Sequence, residues 1–460
     1  MPQKHDIIII GGGPAGYVSA IRGAQLGAEV HLIEQESLGG TCLNVGCIPT
    51  KVLLHTGEFY HKAVTAAVPG VKSSAALDWP AAMAHKDAVV QRLTGGVSWL
   101  LQKNKVQLHT GRASVLPGLR VQVDGSTASE TLTADAILLA TGSVNTALAF
   151  PGSELDGMLD STAALSLQEP PKSITIVGGG VIGIEFATLF AHLGAEVAIV
   201  EMLPEILPLV DEEIAALLRQ KLEATGVNIY TGARLVGVEK EGVLLSAQID
   251  QGGQTVALRS EKILVAVGRR PNTAAMGLEE LGVAMERGAV AVDADYQTNI
   301  PGLYAVGDCN AKLMLAHAAM EQGMAAIEHI MGLRANGHRS VVPSCVYASP
   351  EIASVGLTEK EIKEKRIPYS VGRFPLASNG KALIEGEDGI IKILADQAYG
   401  EILGVHMIGP KVTELIAEAA LCMNMEGTVD DLVRTVHAHP TVSEAVGEAA
   451  MAVLNRAIHS

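Results

Sequence analysis

The chain contains one unit twice, and this internal repeat restricts the possible folds more than any other feature of the sequence. The copies span residues 7–34 and 174–201, and each runs from a β-branched strand through a glycine cluster and a helix to a second strand. The distance from the first glycine of the cluster to the closing glutamate is the same in both copies. Strands that alternate with helices form parallel sheets through right-handed crossovers. The sequence therefore predicts an α/β protein with two Rossmann-like dinucleotide-binding domains.

The remaining sequence predicts a third domain of different construction. After Pro343 the glycine clusters stop, and alternating strand patterns followed by a helical tail take their place. This pattern favours a C-terminal α+β domain. The predicted segments are a first dinucleotide-binding domain, a second one, a central segment that returns to the first, and the C-terminal domain, at residues 1–150, 151–270, 271–340 and 341–460.

Composition excludes several classes of function. The net charge of −16 disfavours a nucleic-acid binder, because phosphate backbones require clustered Lys and Arg. No apolar run is long enough to span a membrane, and the chain enters a strand-like run almost at once, so we expect neither a membrane helix nor a signal peptide. Five cysteines in 460 residues are too few and too unevenly spaced for a secreted disulfide framework. These features predict a cytoplasmic protein.

The first glycine cluster has the spacing of a dinucleotide-binding turn. Gly11 permits a tight turn after the strand, Gly13 allows backbone N–H groups to approach a pyrophosphate, and Gly16 lets helix and strand pack closely. The positive end of the helix favours the phosphate charge. Glu34 closes the unit, where its carboxylate can accept hydrogen bonds from a ribose. A lone cluster is a weak signal, but strand, helix and acid together favour a nucleotide site.

The second cluster repeats this chemistry at Gly178, Gly180, Gly183 and Glu201. A carboxylate at this position accepts hydrogen bonds from a free ribose 2′-hydroxyl and repels a 2′-phosphate. The four residues that follow Glu201 contain no arginine that could neutralise such a phosphate. We therefore expect NAD rather than NADP in this pocket.

A close cysteine pair between the two copies is the most informative segment of the chain. Cys42 and Cys47 are five residues apart, and Pro49 suits the first turn of a helix that follows them. The positive end of that helix and the nearby Lys51 favour a thiolate over a thiol. Burial of both cysteines as small apolar residues is the alternative, whereas zinc would need further ligands at suitable spacing. The three remaining cysteines, which we interpret as core residues, are Cys309, Cys345 and Cys422.

The glycine clusters, the segment 42–51 and the two-copy layout together resemble the pyridine nucleotide-disulfide oxidoreductase family, class I, over nearly the whole chain. The resemblance implies FAD in the first pocket, NAD in the second and a C-terminal dimerisation domain. A departure is Thr50, where the family more often has serine, and we expect a change that keeps the hydroxyl. The further cofactor-binding positions implied by the resemblance are Thr41, Lys51, Thr141, Gly142, Ser143, Glu185, Gly268, Asp308, Met314 and Ala316. For Lys51 and Glu185 the alternative is a surface ion pair.

The tail segment 437–444 contains two histidines, a proline and a glutamate. A histidine with a pKa near neutral suits proton removal from a thiol, and a hydrogen-bonded glutamate fixes its tautomer. Taken alone, a tail histidine is more often structural. The resemblance implies that His439 and Glu444 form the acid–base pair and that the histidine serves the partner subunit's cysteines in a homodimer. His437 is interpreted as structural.

The resemblance predicts that the enzyme oxidises dihydrolipoyl groups through a Cys42–Cys47 disulfide and FAD, with reduction of NAD. The lipoyl carrier is then expected on another chain, in a 2-oxo acid dehydrogenase or glycine cleavage complex. Mercuric and glutathione-type reductases are alternatives, weakened by the absence of a vicinal cysteine pair near the C-terminus and of arginines after Glu201. A flavoprotein that acts only as a scaffold or redox sensor is a further alternative. No metal site is predicted.

Overall fold

The computed structural model describes residues 6–65, 70–125, 128–333 and 341–459, so the domain boundary predicted at residue 340 lies outside the described residues. Its strands are β1 (Asp6–Ile10), β2 (Glu29–Glu34), β3 (Gln107–Thr110), β4 (Arg112–Leu116), β5 (Arg120–Asp124), β6 (Ser129–Thr133), β7 (Ala136–Leu139), β8 (Ser143–Asn145), β9 (Met158–Leu159), β10 (Ser173–Val177), β11 (Glu196–Val200), β12 (Asn228–Tyr230), β13 (Ala233–Glu241), β14 (Leu244–Gln251), β15 (Gln254–Ser260), β16 (Lys262–Val265), β17 (Arg269–Pro271), β18 (Met285–Glu286), β19 (Ala289–Val290), β20 (Leu303–Ala305), β21 (Ser344–Val346), β22 (Glu351–Gly356), β23 (Tyr369–Pro375), β24 (Ile390–Asp396) and β25 (Ile402–Gly409).

Its α-helices are α1 (Pro14–Gln25), α2 (Gly40–Val45), α3 (Cys47–Val64), α4 (Trp79–Lys103), α5 (Ser161–Ala164), α6 (Val181–His192), α7 (Glu212–Ala224), α8 (Ala316–Ile330), α9 (Glu359–Glu364), α10 (Gly380–Glu385), α11 (Val412–Asn424), α12 (Val429–Arg434) and α13 (Glu444–Val453). Two short 3₁₀ helices span Gly307–Asn310 and Leu376–Ser378.

Two five-stranded parallel sheets have the same internal arrangement. In the first, β1 lies between β2 and β7, with β3 and β20 at the edges; in the second, β10 lies between β11 and β16, with β12 and β9 at the edges. The central strands are almost wholly apolar and buried, as expected for parallel strands covered on both faces. The predicted repeat, the parallel units and the mixed α/β class are confirmed.

Small antiparallel sheets extend from the two parallel ones. The three-stranded sheet β4–β5–β6 belongs to the first half, and β13–β14–β15 occupies the corresponding place in the second. A two-stranded ribbon pairs β8 with β17 and so joins the chain segments that enter and leave the second sheet. This ribbon places residues 143–145 directly beside residues 269–271.

The C-terminal domain is a five-stranded antiparallel sheet with helices packed on it. The strand order is β21–β22–β25–β24–β23, and α11 and α13 pack on the sheet around a separate apolar core. The α+β C-terminal domain predicted from the sequence is thereby confirmed in class. None of the helices in the described ranges is both long and apolar enough to cross a membrane.

One apolar cluster joins all three parts of the chain. Leu53 of α3, Ile184 of α6 and Val346 of β21 belong to the same buried cluster, and each is at most 1% exposed. A buried ion pair between Lys392 of β24 and Asp211, which caps α7, adds a polar link between the second and third parts. The residues around this apolar cluster are therefore packed against all three parts of the chain.

Candidate active site

The first glycine turn leads from β1 into α1 over the carboxylate of Glu34. Gly11 has a φ of +106°, and a Cβ on Gly16 would lie 1.7 Å from the carbonyl oxygen of Gly11. The N–H of Gly12 donates to Oε2 of Glu34 at 2.7 Å. A Cβ on Gly13, by contrast, would approach no atom closer than 3.8 Å. Positions 11 and 16 need glycine for the turn itself, whereas Gly13 leaves an open surface at the helix N-terminus.

The second turn has nearly the same geometry. Gly178 has a φ of +111°, and a Cβ on Gly183 would lie 2.0 Å from the carbonyl oxygen of Gly178. The N–H of Gly179 donates to Oε2 of Glu201 at 2.6 Å. A Cβ on Gly180 would meet nothing within 4 Å. Each turn therefore offers free space and backbone N–H groups at a helix N-terminus, which suits a pyrophosphate.

A cavity of about 330 Å³ lies beside the first turn. Its walls include Gly11, the carboxylate residue Glu34, Thr141 and the guanidinium residue Arg112. Glycine backbone, a carboxylate for ribose hydroxyls and a cation for phosphate fit the adenosine diphosphate end of FAD.

The loop after Glu201 fits a ribose without a 2′-phosphate. The nearby Arg219 lies 3.0 Å from Oε1 of Glu223 and 3.5 Å from Oε2 of Glu205, so carboxylates already engage its charge. The carboxylate of Glu201 itself accepts from backbone N–H groups on both oxygens. These groups fit NAD better than NADP.

The turn after β7 and the 3₁₀ helix at 307–310 meet beside the first sheet. Ser143 donates its hydroxyl proton to Oδ2 of Asp308 at 2.5 Å, and Gly142 has a φ of +69°. Ala316 is the first residue of α8, and Met314 lies just before it. The predicted flavin positions are thus brought to the carboxyl ends of β1, β7 and β20, where open parallel sheets bind ligands.

Arg269, which no sequence pattern marked as functional, directly follows Gly268 and lies at one end of the β8–β17 ribbon, paired with Asn145. Its guanidinium donates to the hydroxyl of Ser143 at 2.8 Å, to Oδ1 of Asn145 at 2.5 Å and to the hydroxyl of Thr41 at 3.3 Å. Burial lowers the pKa of Arg269, while Asp308 and Cys47 oppose that change. The residue links the cysteine segment to the ribbon between the sheets. Its only sequence signal was its place next to Gly268.

The two cysteines lie at a break between two helices. Cys42 belongs to α2, Gly46 interrupts the helix, and Cys47 is the first residue of α3. A Cβ on Gly46 would lie 2.9 Å from the carbonyl oxygen of Thr41, so the chain folds tightly back at this glycine. Thr50 donates its hydroxyl proton to the carbonyl oxygen of Gly46 at 2.6 Å and so ties α3 to the break. Both thiols are free, and they hydrogen-bond to each other.

The two thiols differ in acidity because of their surroundings. The hydrogen bond from the Cys42 thiol lowers the pKa of Cys47 to about 7, against the effect of burial, and Lys51 lowers it further. Donation to Cys47, together with burial, raises the pKa of Cys42. The pair therefore carries its negative charge on Cys47, at the positive end of the 18-residue helix α3.

Lys51 and Glu185 form an ion pair between α3 and α6. The Lys51 Nζ lies 2.7 Å from both carboxylate oxygens of Glu185, whose side chain is only 6% exposed. The pair is therefore not on the open surface. Tyr347, which follows β21 of the third domain, places its ring 4.6 Å from the Lys51 Nζ. No local sequence pattern marked Tyr347.

The two tail histidines each pair with a glutamate. Nδ1 of His439 lies 2.9 Å from Oε1 of Glu444, and the imidazole side chain is 80% exposed. Glu444 also accepts the N–H of Thr441 at 2.9 Å, and this bond and then His439 lower the pKa of its carboxyl group. His437 lies 2.8 Å from Glu418, which raises the pKa of that imidazole. His439 is thus oriented by its glutamate and presented to solvent on the chain's surface.

The prediction that the other three cysteines are core residues is confirmed for Cys309 and holds in part for Cys345 and Cys422, which pack against the edge of the C-terminal apolar cluster. Cys309 is fully buried, and burial raises its pKa to about 12. Cys345 and Cys422 are only partly buried, because Cys345 lies on the edge strand β21 and Cys422 faces the turn after α11. Within the described ranges, no group of three His, Cys, Asp or Glu side chains has a geometry that could hold a metal ion.

Comparison with known proteins gives a consistent family assignment. The model of the family described as pyridine nucleotide-disulphide oxidoreductase matches residues 5–323, and that of its dimerisation domain matches residues 342–450. The chain is 45% identical to a dihydrolipoyl dehydrogenase of Thermus scotoductus over 99% of both chains, and 42% identical to one of Bacillus subtilis over 100% of both. It is also 40% identical to leghemoglobin reductase of Glycine max, over 99% of this chain and 88% of that protein.

Solved structures agree with this assignment. The chain is similar to LpdA from Mycobacterium tuberculosis with a TM-score of 0.90 and 28% identity, over 97% of this chain and 99% of that one. It is also similar to the HOCl-induced flavoprotein disulfide reductase RclA from Escherichia coli, with a TM-score of 0.86, 28% identity and the same coverage.

Proposed function

The chain belongs to the pyridine nucleotide-disulphide oxidoreductase family, and from this premise we propose that it oxidises protein-bound dihydrolipoyl groups through Cys42 and Cys47. The enzyme is a homodimeric flavoprotein oxidoreductase that uses FAD and NAD, and its activity is that of a dihydrolipoyl dehydrogenase. The observation that carries the residue assignment is the pair of thiols across the helix break at Gly46, with Cys47 at the positive end of α3 and Lys51 one turn further along.

The first chemical step is thiol–disulfide exchange. Starting from the Cys42–Cys47 disulfide, a substrate thiolate attacks Sγ of Cys42, the bond between the two cysteine sulfurs breaks, and Cys47 leaves as a thiolate. Exchange is faster when the leaving thiol has the lower pKa. Because Lys51 and the positive end of α3 stabilise a thiolate at Cys47, attack on Cys42 expels a good leaving group.

The second step resolves the mixed disulfide. The remaining substrate thiol, once deprotonated, attacks the substrate sulfur bound to Cys42 and closes the lipoyl disulfide, and Cys42 takes up a proton. A neutral His439 accepts the proton from the attacking thiol, and Glu444 keeps its Nδ1 side bonded so that Nε2 faces the substrate. We propose that His439 acts on the cysteines of the partner subunit, which agrees with its exposure.

The residues around the glycine turns are proposed to hold the two dinucleotides. The first turn, Thr41, Lys51, Asp308 and the turn at 141–143 bind FAD, while the second turn, Glu185, Gly268 and Glu201 bind NAD. When bound, FAD supplies two-electron transfer between a dithiol and a nicotinamide, which no side chain performs. The residues proposed to contact FAD at the edge of the site are Met314 and Ala316.

This assignment divides the chain by function. We propose that residues 1–150 and 271–340 bind FAD, residues 151–270 bind NAD, and residues 341–460 form the dimer interface. The proposed partner is a lipoyl-bearing protein of a 2-oxo acid dehydrogenase or glycine cleavage complex. A cytoplasmic location is proposed because five unevenly spaced cysteines do not form the disulfide framework of a secreted protein.

Steady-state turnover tests the proposal. The purified, FAD-loaded protein is expected to reduce NAD with dihydrolipoamide, to use NADP far less efficiently, and to lose turnover on Cys47→Ser. Cys422→Ser, which changes a partly buried cysteine of α11, is the matched control and should retain full activity. Equal turnover by Cys47→Ser and the wild type would refute the proposed route.

A further inference from the structure

Tyr347 contacts both ends of the ion pair between Lys51 and Glu185. Its ring lies 4.6 Å from the Lys51 Nζ, and its backbone N–H donates to Oε1 of Glu185 at 3.3 Å. The ion pair itself joins α3 to α6, whereas Tyr347 comes from the third domain. A single residue of the C-terminal domain therefore contacts the Lys51–Glu185 ion pair, which lies between the first two domains.

The two charged residues differ in how firmly the fold holds them. Glu185 is 4% exposed on a helix packed in the core, so its carboxylate has little freedom. The Lys51 side chain is 31% exposed and carries its ammonium on a flexible four-carbon stem. Without further contacts, such an ammonium exchanges between its carboxylate and water. The face of an aromatic ring restricts that exchange because its π electrons attract the cation.

The position of Tyr347 is itself well defined. The preceding residue, Val346, is 1% exposed and lies in the apolar cluster that includes Leu53 of α3. Val346 also pairs with Ile352 in the sheet of the third domain. Burial raises the pKa of Tyr347 to about 12, so the ring remains a neutral phenol at physiological pH. Tyr347 is itself 37% exposed, so its anchored backbone, with its N–H bonded to Glu185, and not burial of the ring sets the place of this cation–π contact.

The position of the ammonium matters for the redox cysteine. Lys51 lowers the pKa of Cys47, and Glu185 raises it. If the ammonium moved into solvent, the carboxylate would act on Cys47 without compensation. Both changes disfavour the thiolate, so any contact that holds Lys51 in place sustains the ionised form of Cys47.

We propose that Tyr347 is a positioning residue, whose ring holds the Lys51 ammonium against Glu185 and within electrostatic reach of Cys47. The third domain thereby contributes to the electrostatics of its own chain's cysteine pair, in addition to any contact it makes across the dimer. The inference rests on the proposed function, because it assumes that Cys47 works as a thiolate. Its test needs no substrate turnover, so the two can fail separately.

The test is a pH titration of Cys47 alkylation in the reduced protein. Iodoacetamide labelling is followed by peptide mass spectrometry from about pH 5 to about pH 10, which separates Cys47 from Cys42. The wild type is expected to show a midpoint near the pKa of about 7. Tyr347→Leu should raise the midpoint by about half a pH unit, which is about threefold less thiolate on the acid side. Tyr347→Phe keeps the π face and should titrate like the wild type.

Two controls make the outcome decisive. Tyr399→Leu changes a tyrosine that is 85% exposed, and should leave the midpoint unchanged. In a Lys51→Met background, Tyr347→Leu should produce no further shift, because the cation is already gone. If Tyr347→Leu does not fold, Tyr347→Met takes its place in the test, because methionine is an unbranched apolar side chain without a ring. A wild-type midpoint in Tyr347→Leu, an equal shift in Tyr347→Phe, or the full shift without Lys51 would overturn the proposal.

Discussion

Nδ1 of His439 lies 2.9 Å from Oε1 of Glu444, although the imidazole is 80% exposed. A histidine that is oriented on one side and open on the other suits proton transfer with a group from outside its own chain. His439→Gln is therefore expected to lower kcat for dihydrolipoamide by roughly 10²- to 10⁴-fold. His459→Gln, which changes another exposed histidine paired with a glutamate, is the matched control.

Mixed dimers test whether the histidine acts across the subunit interface. His439→Gln and Cys47→Ser homodimers should both be inactive. When the two variants are unfolded together and refolded, a mixed dimer contains one site with intact cysteines and an intact partner histidine. Activity should then reappear in proportion to the mixed species. Absence of recovery in a verified mixed dimer would place His439 and the cysteines in the same chain.

The acidity of Cys47 should depend on the Cys42 thiol that donates to it. The hydrogen bond from Cys42 is the largest influence that lowers the pKa of Cys47 to about 7. Cys42→Ala removes the donor, so the fraction of Cys47 thiolate at pH 7 should fall and the alkylation midpoint should rise toward the ordinary thiol pKa of about 8.5. Alkylation at a series of pH values measures this shift. A lower midpoint in the variant would contradict the described hydrogen bond.

Two glycines of the second turn should respond differently to alanine. A Cβ on Gly180 meets nothing within 4 Å, so Gly180→Ala should fold normally but crowd the pyrophosphate and raise KM for NAD by roughly tenfold. A Cβ on Gly183 would lie 2.0 Å from a backbone oxygen, so Gly183→Ala should lower the unfolding temperature. Kinetics and thermal unfolding of both variants separate the two effects. An unchanged KM for NAD in Gly180→Ala would show that the pyrophosphate of NAD does not bind at this turn.

Lys392 should be a strong determinant of stability. Its side chain is 1% exposed, and its Nζ lies 2.8 Å from Asp211, 2.7 Å from Glu359 and 3.0 Å from Glu213. Lys392→Met leaves the buried Asp211 without its cation, whereas Arg373 still pairs with Glu213 and Glu359, and about 3–5 kcal/mol of stability should be lost near neutral pH. Thermal unfolding measures the loss. Lys360→Met, which affects an exposed ion pair with Glu212, should cost less than about 1 kcal/mol.

The effect of Lys392 should fade in acid. Although burial opposes ionisation, hydrogen bonds from Lys363 and Lys392 lower the pKa of Glu359 to about 2, and Lys392 likewise lowers that of Asp211. Carboxyl groups whose pKa is lowered on folding contribute stability above their unfolded pKa near 4, and lose it as the pH falls toward 2. The difference between wild type and Lys392→Met should therefore shrink over that range. If the stability difference between the two proteins did not change with pH, the loss would come from altered packing and not from the ion pairs.

The repeat made the fold predictable. Glycine spacing, β-branched strands and closing glutamates are local patterns, and their geometric requirements are visible at Gly11 and Gly178 as positive φ values. The cysteine pair was also local, since Cys42 and Cys47 are separated by a single helix break. The residues that form such features are close to one another both in sequence and in space.

Residues that meet through tertiary contacts were not predictable in this way. Tyr347 follows the three-residue strand β21, and nothing local indicates that this strand inserts beside Lys51. Arg269, on a strand that pairs with β8, donates to Thr41 across 228 residues of sequence. The partial exposure of Cys345 likewise depends on its place on an edge strand. These contacts and exposures depend on how the three domains pack, which the hydrophobic periodicity of a single segment does not predict.

The central claim is that oxidation of the substrate thiols reduces the Cys42–Cys47 disulfide, and the most direct test measures that reduction. Oxidised, FAD-loaded protein is mixed without oxygen or NAD with one equivalent of dihydrolipoamide, quenched in acid and alkylated, and its cysteine peptides are quantified. Cys42 and Cys47 are predicted to become labelled together, in step with loss of the substrate thiols, while labelling of Cys309, Cys345 and Cys422 stays constant. Oxidation of the substrate thiols without new label on Cys42 and Cys47 would contradict the account.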